Sequence, residues 1–86
     1  MTMEEFNEKY ANHIEDGHYG LALHNEKIVD MLDGIFQVLT LDPDFTFSQI
    51  KVKFGHSRIY SNADDEINRS IERLIDRAYV AIETYS

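Results

Sequence analysis

The last quarter of the chain carries Ile67, Ile71, Leu74, Ile75, Ala78, Ile82 and Tyr85 at helical spacing, one continuous apolar stripe. A helix of this kind must bury its stripe, and the residues before it have to supply the opposing surface. Asp64, Asp65 and Glu66 suit the positive end of its dipole, and Ser61 or Asn62 can cap it, which places the helix at about 63–84.

Two earlier segments share the period. Thr2 and Glu5 have capping-box spacing, and Met3, Phe6, Tyr10 and Ile14 follow at helical intervals before Gly17, predicting a helix over about 3–16. After the Gly17 to Gly20 break, Leu21, Ile28, Leu32, Ile35, Phe36 and Leu39 continue to Asp42-Pro43, predicting a second helix over about 21–40. Gly34 within it marks either a close helix contact or a tolerated helical glycine.

Residues 46–60 fit two patterns. As a helix, Phe47, Ile50 and Phe54 fall at i, i+3 and i+7, with Gly55 ending it; as a hairpin, Ile50, Val52 and Phe54 alternate with Lys51 and Lys53, and Gly55-His56 turns the chain. A two-stranded hairpin is weak by itself, which favours the helix. The expected fold is therefore mostly all-α: one domain over 1–86, a small three- or four-helix bundle, with a short β-hairpin over 49–60 as the alternative.

Charge is distributed unevenly. The net −8 comes entirely from residues 1–45, where ten acids face Lys9 and Lys27, while residues 46–86 hold six acids and six bases. Such a field repels nucleic acid and anionic membrane and steers toward basic partners. At 86 residues a monomer buries a modest share of its surface, so a homo-oligomer is expected. The chain has no cysteine, which excludes disulfides, thiolate metal sites and a catalytic thiol, and fits a reducing compartment. The acidic start MTMEEFNEKY is no signal peptide and no apolar run approaches a membrane span, so the expected location is cytoplasmic.

Enzymatic patterns are lacking. His13, His18 and His24 with Asp16 miss the i, i+4 spacing of a helical zinc pair, and Asp42, Asp44 and Thr46 begin a calcium-loop pattern that fails at Phe47 and Lys53. No phosphate-cradling loop or nucleophile motif exists. The expectation is a non-catalytic protein with no metal and no cofactor.

Two binding readings follow. In the first, an acidic face of the first two helices, Glu4, Glu8, Glu15, Asp16, Glu26, Asp30 and Asp33, docks on a basic protein and masks it. In the second, Arg69, Arg73 and Arg77, lying every fourth residue opposite the apolar stripe, join the basic cluster of Lys51, Lys53, His56 and Arg58 to hold an anionic ligand. The alternative for the three arginines is pairing with Asp65, Glu66, Glu72 and Asp76. Tyr10, Tyr19, Tyr60 and Tyr79 are possible stacking rings, although Tyr10 also lies on the first apolar stripe.

A third reading uses FSQIKVKFGHSRIY (47–60), which resembles a helix-turn-helix at Ile50, Phe54, Gly55 and Ser57 and departs from it at Lys51 and Ser61. That resemblance implies a DNA-binding regulator. The short helical chain, Lys27 and the RLIDRAY run (Arg73 to Tyr79) look like the small phage-encoded anti-defence proteins that sponge cyclic oligonucleotide signals. It implies an oligomer in a phage-infected cell that sequesters a nucleotide without turning it over, at a site here of Tyr10, Lys27, Arg58, Arg69, Arg73 and Arg77. Charge ranks the masking inhibitor first, the nucleotide sponge second and DNA readout third.

Overall fold

The computed structural model describes residues 1–53 and 55–85, with every side chain among them except those of Thr84 and Tyr85. Phe54, used in both patterns for 46–60, and the side chain of Tyr85, last in the C-terminal stripe, lie outside the described residues. Among the described residues the elements are α1 (Met3–Lys9), a 3-10 turn (Ala11–His13), β1 (Gly20–Ala22), α2 (Glu26–Leu39), β2 (Phe47–Lys53), β3 (His56–Ser61) and α3 (Asp65–Tyr85). This is an α+β fold with a mixed three-stranded sheet, and it corrects the all-helical bundle. None of the described helices is long and apolar enough to cross a membrane.

Strand pairing takes the ends of two expected helices. Thr2 and Glu5 form the reciprocal capping box of α1, but the helix stops at Tyr10; Ile14 bridges Phe47, and the Glu15 N–H donates to the Phe47 carbonyl at 2.9 Å. Leu21 belongs to β1, and α2 begins only after Asn25, whose side chain accepts from the N–H groups of Lys27 and Ile28.

The sheet order is β1-β2-β3; β1 runs parallel to β2 through the α2 crossover and β2 antiparallel to β3. A register shift between Phe47 and Gln49 inserts one extra residue, so that Phe47 and Ile50, three positions apart, both turn inward and are fully buried. Leu21, Ile50 and Ile59 form a cross-strand row in the core, packed with Phe6, Phe36, Phe47 and Ile75. The rings of Phe6, Tyr10, Phe36 and Phe47 meet tilted or edge-on, at centroid separations of 4.8 to 6.3 Å.

Both outer strands have their free edges closed by side chains. On β1, the Leu21 N–H donates to Asn7 Oδ1 at 2.8 Å and Asn7 Nδ2 donates back to the Leu21 carbonyl at 3.0 Å, as a neighbouring strand would. On β3, the Ser57 N–H donates to the Asp76 carboxylate at 2.9 Å and the Ile59 N–H to that of Glu72 at 3.0 Å. An exposed strand edge is a template for association, and α3 blocks this one. Replacing Glu72 and Asp76 together by alanine is expected to destabilise the fold by about 1–3 kcal/mol per orphaned N–H. A lower urea midpoint and concentration-dependent light scattering would show it; a monodisperse variant of unchanged stability would show that the carboxylates do not guard the edge.

The α1–α2 contact carries a titratable cluster. Asp33 accepts from Lys9 Nζ at 2.8 Å, from the Tyr10 hydroxyl at 2.6 Å and from Gln37 Nε2 at 3.0 Å. Desolvation pushes its pKa up, but the hydrogen bonds from Lys9, Tyr10 and Gln37 outweigh it and hold the carboxyl below the ordinary aspartate value. Burial, then the bond to Asp33, raises the Tyr10 phenol. The Asp33 contribution is therefore present above the unfolded carboxyl pKa and lost as pH falls through the depressed folded value. The Tyr10 contribution is complete below about 10 and lost above it as pH rises. Asp33→Asn should flatten the acid limb of a urea-midpoint versus pH profile, and Tyr10→Phe the alkaline limb.

Candidate anion-binding site

Alternation along the hairpin turns a second set of side chains outward. The cross-strand pairs Gln49 with Tyr60, Lys51 with Arg58 and Lys53 with His56 lie on the opposite side from Ile50 and Ile59. Lys53, His56, Arg58 and Tyr60 are exposed, the last at 49 %, so the helices cover one side of the sheet and leave this one open. Lys51 Nζ sits 5.9 Å from the centre of the Tyr60 ring, a diagonal cation–π contact.

Lys51 stands directly across from Arg58. Like charges in that relation destabilise a sheet, and Arg58 offsets this with one 3.3 Å bond to the adjacent Ser57 carbonyl. An anion bound between the two would turn the repulsion into attraction.

The arginine row lies on the outer side of α3. On α3, Ile71 and Ile75 turn into the core while Glu72 and Asp76 turn to the β3 edge. At about 100° per residue, Arg69, Arg73 and Arg77 lie beyond that edge on the outer side of α3, opposite Ile71 and Ile75. All three are exposed, and none forms an ion pair with a described carboxylate. This corrects the intrahelical pairing with Asp65, Glu66, Glu72 and Asp76, because the last two carboxylates serve the strand edge instead.

The remaining expected ligand residues are spread differently. Lys27 is exposed in the first turn of α2; since Ala22 pairs with Lys51, that turn lies toward the hairpin end of the sheet. Tyr10 is 4 % exposed with its hydroxyl held by Asp33, so the structure places it in the core and away from this face. Toward the other end, a groove of about 510 Å³ bounded by Ser48, Tyr60 and Asn68 also carries the carboxylates of Glu15 and Asp65. An anion is accordingly favoured at the hairpin end.

The acidic set does not form one face. Glu4 and Glu8 are exposed on α1, Glu26 and Asp30 lie 4.0 and 2.9 Å from the N-terminal amine, and Asp33 is locked against Lys9 and Tyr10. Glu15 and Asp16 follow the 3-10 turn, at the far end of α1. The helix-turn-helix reading loses its helices, since 47–53 and 56–61 are strands. His13 Nδ1 is 2.7 Å from the Phe45 carbonyl, His18 and His24 are exposed, and no group of three potential metal ligands occurs among the described residues.

The roles of Asn7, Glu72 and Asp76 as edge caps escape sequence reasoning, because nothing in their spacing separates them from solvated polar residues. The open face does leave a signal: Gln49, Lys51 and Lys53 alternate with buried or half-buried residues, as do His56, Arg58 and Tyr60. Comparison of the chain with protein-family models, curated proteins and solved structures finds no match.

Proposed function

We propose that the protein is a non-catalytic binding protein that sequesters a phosphate-bearing ligand of nucleotide size on the open side of its sheet. The observation that carries this reading is the opposed Lys51–Arg58 pair, with Tyr60 against Lys51, on the open side of the sheet. Guanidinium N–H groups donate bidentately to phosphate oxygens, and Tyr60 offers a ring for a base. The net charge of −8 opposes a long polyanion, so a nucleotide or short oligonucleotide fits better than duplex DNA.

Isothermal titration calorimetry with a cyclic dinucleotide, and separately with inorganic phosphate, tests the reading. Expected are saturable dinucleotide binding that weakens with salt, recovery of the ligand intact, and at least a tenfold loss in the Lys51→Ala/Arg58→Ala variant. Failure of both probes to bind at low salt would overturn it.

Masking of a basic protein is the second reading, and one observation favours it: Glu4 and Glu8 are exposed on α1 with no hydrogen-bond or ion-pair partner among the described residues.

A further inference from the structure

The helical side of the molecule carries an apolar surface that the core does not use. Val38 at the end of α2, Leu41 just beyond it and Ile67 in α3 are 67 %, 80 % and 39 % exposed, and Leu74, two turns along α3 from Ile67, is 43 % exposed. Val38 and Ile67 border a groove of about 400 Å³ floored by Leu39, Phe45 and Ala63. Isolated exposed apolar residues are ordinary, but Val38 and Ile67 meet across one groove and Leu41 follows Val38 in a tight turn, its N–H donating to the Val38 carbonyl at 3.2 Å, which marks a contact surface.

The side-chain charges around it share one sign, and the positive N-terminal end of α3 offsets part of that of Asp64. Asp42 and Asp64 line the groove and Asp44 follows in the same turn. The C-terminal end of α2, whose last turn holds no basic residue, adds the negative end of its dipole. The Asp42 carboxylate accepts only the Asp44 N–H, and Asp64 has no side-chain partner among the described residues.

We infer that this groove docks a cationic amphipathic helix of a partner protein, with its apolar side chains against Val38, Leu41 and Ile67 and its lysines or arginines against Asp42 and Asp64. Helix-in-groove recognition lays the apolar face of the docked helix, its residues at i, i+3 or i+4 and i+7, into a groove of this kind. Charge complementarity selects the partner: an acidic helix would be repelled, and a wholly apolar one would leave the carboxylates unpaired. The site is separate from the open side of the sheet and does not depend on the nucleotide reading.

The probe is a fluorescently labelled synthetic amphipathic helix of leucine and lysine, with a leucine–glutamate helix as control, followed by anisotropy. The lysine peptide should bind and the glutamate peptide should not. Val38→Ser/Leu41→Ser should weaken binding by about tenfold or more, as truncation of central apolar anchors does. Asp42→Asn/Asp64→Asn should weaken it and reduce its salt dependence, while Arg69→Ala/Arg73→Ala should leave it unchanged. All of these positions are exposed or at the rim, so the variants keep their fold, checked by circular dichroism. Equal binding by the Val38/Leu41 variant, or none by the native protein, overturns the inference. So does self-association of the native protein that the Val38/Leu41 variant abolishes, since the occupant would then be a second copy.

Discussion

Asn7→Ala is expected to lower unfolding free energy by about 2–6 kcal/mol, because it orphans both the N–H and the carbonyl of Leu21 at about 1–3 kcal/mol each. Leu21 is 1 % exposed and pairs on its other side with Ile50, so the loss falls where the sheet meets the core. Small domains hold a total of about 5–15 kcal/mol, which makes this a large share. Gly20 depends on the same contact. It sits at φ +74°, and a Cβ there would lie 2.6 Å from Asn7 Oδ1 and 2.8 Å from Ile14 Cδ1, so Gly20→Ala should also destabilise. Urea midpoints check both; a loss below about 0.5 kcal/mol for Asn7→Ala would show that water replaces the amide at no cost.

Replacing Lys51 and Arg58 together by threonine should move stability and binding in opposite directions. Relief of the like-charge pair, with β-branched residues in its place, should raise stability by a few tenths to about 1 kcal/mol. Two charge-assisted phosphate contacts, taken at about 1.5 kcal/mol each because the groups are accessible, are lost at the same time. Affinity for a dinucleotide should therefore fall about a hundredfold. A purely structural role for the pair would move stability alone, and a solvated surface would move neither quantity.

Much of the helical framework can be read from the residues, since capping and period are local. Thr2 and Glu5 cap α1, and α3 occupies Asp65–Tyr85 where spacing predicts 63–84, whereas α2 starts after Asn25 rather than at the expected 21. The sheet is hidden by two non-local events. The bulge between Phe47 and Gln49 gives Phe47 and Ile50 a three-residue interval that imitates a helix, and the pairing of Gly20, Leu21 and Ala22 with β2 reaches across nearly thirty residues to a strand that periodicity cannot see. Once that pairing is made, the hairpin is no longer a lone two-stranded unit, and the objection to it falls. The basic cluster is visible as composition around Lys51 to Arg58, but its openness is not: it follows from all the helices packing on one side and from Glu72 and Asp76 turning to the strand edge rather than to the arginines.

The most direct test of the anion-binding account is a ¹⁵N-edited NMR titration of the intact protein with a cyclic dinucleotide at low salt. The account predicts saturable shifts concentrated at Lys51, Lys53, His56, Arg58 and Tyr60, and little change at Glu4, Glu8 or Ile67. Absence of shifts, or shifts confined to residues away from the open side of the sheet, would contradict it.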